Sequence, residues 1–343
     1  MSDPFGLGLL VAAFAGGAFG ASLGALTSFV FTGLFVIVGE TYRLVQRNLV
    51  PGVATYGHLG LVDNIAFGVV FGPHVAFGGG AAALAYAVKK GYVTGTGGYH
   101  PAKNVTRGLG TRPDVLLVGG AFGVFGHLVA ATSVTLALPW DPVAMGVVVS
   151  ALAHRAVFGY DLIGATRDRF DMSPFEDAIP DGGRPAVEPW LPYQYRWPGV
   201  FTIGVVVGIL GAYVAYLTAS AFLAFGISVT LLVFVVTGVE EVPVTHHISL
   251  PASTAVIASA PVSYAEATPE ALAATVSLPE ALAVGAVFGV VGALAGEVLQ
   301  RVLYAHADTH LDPPAASIVV TSFLIAVLAI TGVFDGAVWV PTP

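Results

Sequence analysis

The sequence predicts an all-α integral membrane protein built as a duplicated helical bundle, and three observations carry that prediction. Hydrophobic residues make up 56% of the 343 positions, charged residues 10%, and mean hydropathy is +0.83. A soluble domain carries about 25% charged residues, so this chain could not cover a water-facing surface. Apolar runs of membrane-spanning length recur along the chain, and features of the first half return in order in the second.

The first apolar run, 6–39, follows MSDPFGLGLL, which lacks a basic start. It is longer than a signal h-region of about 7–15 residues and reads as a permanent span. Further apolar runs lie at 61–88, 114–138, 141–160, 199–238, 244–262, 281–305 and 313–334. The polar stretch between them, rich in Pro, Gly and charge, reads as a water-exposed linker. It divides the chain into a first membrane repeat (1–160), a cytoplasmic linker (161–197) and a second membrane repeat (198–343).

The duplication is legible as four matches. HVAFGGGAAALAYA from His74 aligns with HISLPASTAVIASA from His247, at an offset of 173. DPVAMGVVVSALA from Asp141 aligns with DPPAASIVVTSFL from Asp312, at an offset of 171. GAFGVFG (120–126) aligns with AVFGVVG (286–292), and more weakly FVIVGE (35–40) with FVVTGVE (234–240).

Basic residues suggest orientation. All lysines and arginines except Arg301 fall in residues 1–196, in 43–47, in 89–112 and from Arg155 onward. The positive-inside rule therefore places loops 40–50 and 89–112 and the linker in the cytoplasm. Their counterparts at 239–243 and 263–280, with Glu240, Glu241, Glu266, Glu270 and Glu280, read as external. Equivalent loops on opposite sides make an inverted repeat, with 61–88 and 244–262 as re-entrant or broken helices that enter and leave by one face. If 199–238 is two helices, the repeats become parallel instead.

FGPHVAFGGGAAALAYA (71–87) and its echo at 247–260 are the expected path. Pro73 ends what precedes it, Gly78, Gly79 and Gly80 permit close backbone approach, and Pro251, Ala252 and Ser253 stand at the equivalent positions. His74 and His247 either face one another as paired imidazoles on a pore or brace a helix break. His246 reads as a loop residue. Asp141 and Asp312, each followed by Pro, read as helix N-caps that could also face a cavity. Glu297 and Arg301, spaced i, i+4, read as a buried ion pair, and Arg155 as a snorkelling side chain. In HADTHLD, His306, Asp308, His310 and Asp312 alternate, which fits a divalent metal site or a solvated turn.

With no cysteine, thiolate catalysis, disulfides and Fe–S sites are excluded. A net charge of −8 with three lysines argues against nucleic acid and resembles a salt-adapted composition. FGPHVAFGGGAAALAYA and DPVAMGVVVSALA resemble an uncharacterised haloarchaeal family of multi-pass membrane proteins, over most of the chain. That resemblance implies a fold neighbourhood and no mechanism. The expected function is a channel or secondary transporter for a small solute or cation, in the cell membrane and as a homo-oligomer, with no cofactor beyond an optional divalent metal. The alternatives are a metal-binding protein or metal-dependent enzyme using HADTHLD, and a non-catalytic scaffold or subunit of a larger complex.

Overall fold

The computed structural model describes residues 3–49, 60–94, 101–164, 170–172, 194–264 and 267–343. Glu266 and most of the linker lie outside them. The described residues form helices and turns, with no strand among them.

The first half begins with Leu7–Leu23 (α1) and Ala25–Leu49 (α2), separated by Gly24 at φ 97°, a conformation only glycine adopts readily. A π-helical turn at Leu61–Ala66 and a second at Pro73–Phe77 lead into Gly78–Lys89 (α3). Pro113–Thr135 (α4) and Pro142–Phe158 (α5) complete it. The second half contains Trp197–Thr218 (α6), Leu223–Thr230 (α7), Leu232–Val236 (α8) and His246–Ala258 (α9). Pro269–Thr275 (α10), Leu278–Leu299 (α11) with a π-helical extension at Gln300–Tyr304, and Pro313–Ile330 (α12) follow. Among the described residues, five helical stretches are long and apolar enough to cross a membrane: Ala25–Arg47, Pro113–Thr135, Trp197–Thr218, Leu278–Tyr304 and Pro313–Ile330.

The Asp-Pro pairs act as the sequence implies. Asp141 accepts from the amides of Val143 (2.8 Å) and Ala144 (2.9 Å), and Asp312 accepts from that of Ala315 (2.8 Å). Each thereby satisfies donors left over at a helix start, with Pro at the first position, where no donor is needed.

Glycine governs the packing. α1 crosses α4 antiparallel where Gly17 meets Gly119 and Gly123, and a methyl on Gly17 would strike the Gly119 carbonyl. α6 crosses α11 the same way, with Gly208 against Gly285 and Gly289. Small residues let helix backbones approach closely where lipid supplies no hydrophobic drive. α3 packs on α1, α4 and α5, and α9 packs on α6, α11 and α12. The halves meet through α2 against α7 and α5 against α12.

The bundle has two ends. At one, Lys103 Nζ donates to the Ala305 carbonyl (3.1 Å), the Leu26 amide to Val105 (2.9 Å) and Arg301 to the Tyr195 carbonyl (2.9 Å), so loops 101–110, 305–311 and both described edges of the linker gather there. At the other, Arg47 donates to the Thr218 carbonyl (3.0 Å) and the Asp335 amide to Ala258 (3.0 Å).

These contacts correct several expectations. The run 6–39 lies in two helices, α1 and α2, and 199–238 in three, α6, α7 and α8. Residues 61–88 are broken, with π-helical turns at Leu61–Ala66 and Pro73–Phe77 ahead of α3. Asp63 borders the same cavity as Thr135 at the C-terminal end of α4, whereas Tyr86 reaches Asp114 at its start. In 244–262, Val244 is bonded to Gln194 at the linker end while Ala258 meets Asp335 at the other. Pro251 does not break its helix: α9 runs through it. Arg43 and Arg47 sit at the end opposite 89–112, and 239–243 lies at the linker end. Arg155 is fully buried rather than snorkelling: it donates to the carbonyls of Leu162 (2.6 Å) and Thr309 (2.7 Å) and to the Thr309 hydroxyl (2.9 Å). A guanidinium with such acceptors gains nothing by reaching for water.

Candidate functional site

A cavity of about 710 Å³ lies between the halves. Its exposed lining residues (Pro4, Asp63, Asn64, Thr135) are at the end away from the linker, hereafter the mouth. Its buried residues, Phe77, Val147, His246 and Ala315 among them, extend toward the linker end.

The first half contributes Asp63, Asp141, His74 and His127 to the wall, and the second contributes His246 and Asp312. From the first, His74 leaves the Pro73–Phe77 turn and stacks on His127 at a centroid distance of 6.3 Å. Asp141 opens α5 and lines the same cavity. From the second, His246 opens α9, edge-on to Phe29 (5.0 Å) and Phe225 (5.9 Å). Asp312 opens α12 and is bonded to His310 (3.4 Å), which lies edge-on to Phe77 (5.4 Å). His127 is held by its Nε2 on the Pro4 carbonyl (2.8 Å). His74 and His246 are almost fully buried, and the Nδ1 atom of each has no hydrogen-bond partner. These Nδ1 atoms are enclosed in the packing, as are those of His154 and His247, which do not line the cavity. At the mouth end, Glu270 is held below the ordinary carboxylate range by its own backbone amide and the Thr268 hydroxyl.

Three of the expected path residues, His74, Asp141 and Asp312, line this cavity. His247, Gly78, Gly79, Gly80 and Ser253 do not. His247 turns toward Gly296 and Gly292, and it is His246 that lines the cavity, contrary to its reading as a loop residue. Successive helical side chains diverge by about 100°, so only one member of the pair can point inward. The glycine run serves packing, with Gly79 against Gly17 and Gly119 and Gly80 against Ala25. Ser253 donates to the carbonyls of Ser249 (2.8 Å) and Gly211 (3.2 Å).

Glu297 and Arg301 form the expected buried pair. Gln300 donates to the same carboxylate (2.9 Å), and Arg301 also reaches the Phe170 carbonyl (3.0 Å) and stacks on Trp197 (4.5 Å). The HADTHLD residues are not brought together. His306 meets the Asp171 carbonyl (2.9 Å), Asp308 is exposed and His310 faces Asp312. No group of three or more His, Cys, Asp or Glu suited to a metal occurs among the described residues.

A family of unknown function, DUF7973, has a family model that matches residues 2–343. The chain belongs to the DUF7973 family. No curated protein and no solved structure matches it. For this DUF7973 chain, the signal that could have found His246 was the doublet His246-His247 itself. Phe29, Trp339 and the Arg155–Thr309 contact carry no local signature.

Proposed function

We propose that this chain is an integral membrane protein of two inverted repeats, 1–160 and 198–343, that carries a small solute or cation through the cavity between them, as a channel or secondary transporter. The observation that carries the reading is the cavity itself, to which each repeat brings a buried histidine and a helix-capping aspartate, His74 with Asp141 and His246 with Asp312.

The packing supports the repeat. α1 on α4 corresponds to α6 on α11, α3 to α9, and α5 to α12. α1 runs toward the linker end and α6 away from it, and the corresponding pairs that follow are likewise opposed. Inverted halves meeting at a central site are the architecture of many transporters. The linker end carries Lys89, Lys90, Lys103, Arg107, Arg112 and Arg196, which supports placing it in the cytoplasm. The metal-dependent alternative loses ground because only His310 and Asp312 of its four residues meet.

The test is accumulation by proteoliposomes. Vesicles holding the full chain, under an imposed proton gradient and membrane potential, are incubated with a small-molecule cell extract and their contents read by mass spectrometry. Ala144→Trp, which fills the cavity, is the comparison. Solutes enriched by the wild type and lost in the variant are expected. Contents identical to those of protein-free vesicles overturn the reading.

A further inference from the structure

The chemistry of the wall narrows the solute class, given that the cavity is the solute site as proposed above. Asp63, Asp141 and Asp312 line it, and among the described residues no lysine or arginine does. Arg43 lies against the ring of Tyr264 (5.9 Å) and is paired with Glu40 (2.8 Å). Asn64, His74, His127, Thr135, His246 and Tyr264 are the wall's other polar side chains, and the rings of Phe29, Phe67, Phe222 and Phe225 give most of the rest an apolar, aromatic character. Volumes of about 300–1,000 Å³ suit organic ligands, so about 710 Å³ exceeds the needs of a bare ion.

Each solute class meets this wall differently. An organic anion would be placed beside Asp141 and Asp312 in a medium of low dielectric, where like charges repel strongly. A neutral apolar solute would strip water from the carboxylates without replacing its hydrogen bonds. A bare divalent ion needs a dense set of oxygen or nitrogen ligands, which the described residues do not form. An ammonium group on an apolar body answers every feature at once. Its charge faces the carboxylates, its N–H groups can be accepted by an unprotonated imidazole nitrogen, and aromatic faces attract it.

We propose that the cavity binds an organic cation, an ammonium group on an apolar, ring-sized body. His74 and His246 are 3% and 2% exposed, so their rings belong to the wall rather than to the outer surface.

The test is titration calorimetry of the full chain in lipid nanodiscs with three ligands of one shape: 2-phenylethylammonium, 2-phenylethanol and phenylacetate. The ammonium is expected to bind at least about tenfold more tightly than the alcohol, and phenylacetate least well. Asp141→Asn and Asp312→Asn keep the Oδ1 acceptor of a good N-cap while removing charge. Each should shrink the ammonium preference by about tenfold while leaving alcohol binding intact, which also reports that the variant is folded. Equal affinity for ammonium and alcohol, or tightest binding of phenylacetate, overturns the cation class and leaves the cavity as a solute site. Binding of none of the three overturns both.

Discussion

The backbone carbonyl of His74 rests directly on Gly126, so closely that a side chain at position 126 would collide with it. The carbonyl of His247 makes the same contact with Gly292. The two glycines end the matched motifs GAFGVFG and AVFGVVG, so one motif of each half is the seat for the other half-motif's histidine. The histidines are thus fixed by their backbones, and their rings are free to differ, one toward the cavity and one away. Gly126→Ala and Gly292→Ala should each destabilise the chain by about 1–3 kcal/mol through overpacking. Gly8→Ala, at a helical position with nothing within 4 Å, should be neutral or stabilising by up to about 1 kcal/mol. Denaturation of the purified variants in detergent checks both. A Gly126→Ala variant as stable as the wild type would show that the seat is not tight.

Thr309 ties the 305–311 loop to α5. Its hydroxyl accepts from Arg155 Nε (2.9 Å) and lies 3.0 Å from His154 Nε2. Thr309→Val keeps the shape and removes the oxygen, leaving a buried, charged donor without its acceptor. The expected loss is about 1–3 kcal/mol. Thr309→Ser, which keeps the oxygen, should retain most of the stability. The ordering Thr, Ser, Val in unfolding free energy is the measurement. Equal loss in both variants would mean that the methyl, not the hydroxyl, matters.

Much of this architecture is legible before any coordinates, for physical reasons that differ by element. Asp141-Pro142 and Asp312-Pro313 announce their helices because a cap is a local interaction between neighbours in sequence. Glu297 and Arg301 pair because i, i+4 positions meet on any helix. The break at Gly24 was missed because an uninterrupted apolar run gives no hint of a turn when the breaking residue is one glycine among many. The cavity assignments of His246 and His247 were exchanged for a related reason. Repeat register aligns sequence, but helical rotation decides which of two adjacent rings faces the space. Arg155 and Thr309 are 154 residues apart, and no local pattern links them.

Arg301 holds more than its acid. Besides Glu297 it donates to the carbonyls of Phe170 and Tyr195 and stacks on Trp197, whereas Glu297 is otherwise bonded to Gln300. Breaking a buried pair from either side costs about 3–5 kcal/mol because the partner is left unpaired. Arg301→Gln also orphans two carbonyls, which adds about 1–3 kcal/mol for each. Arg301→Gln should therefore be the more damaging change, and Glu297→Gln, which keeps an acceptor oxygen for Arg301, the milder. Paired unfolding measurements decide it, and a reversed order would mean that the carboxylate, not the guanidinium network, anchors this end of α11.

The absence of native cysteine makes the inverted arrangement directly testable, since any introduced thiol is unique. Arg112 and Glu270 are both exposed, the first just before α4 and the second in the corresponding connection before α11. If α4 and α11 are related by inversion, these equivalent loops lie on opposite sides of the membrane. Asn64, at the mouth of the cavity, shares its side with Glu270. Arg112→Cys, Glu270→Cys and Asn64→Cys are to be treated with a membrane-impermeant maleimide on right-side-out cells and on inside-out vesicles. Glu270→Cys and Asn64→Cys should label from one side and Arg112→Cys from the other. Positive charge predicts that Arg112→Cys labels only in inside-out vesicles. Labelling of Arg112→Cys and Glu270→Cys from the same side would make the halves parallel, and the cavity would then lie between repeats of equal rather than opposed direction.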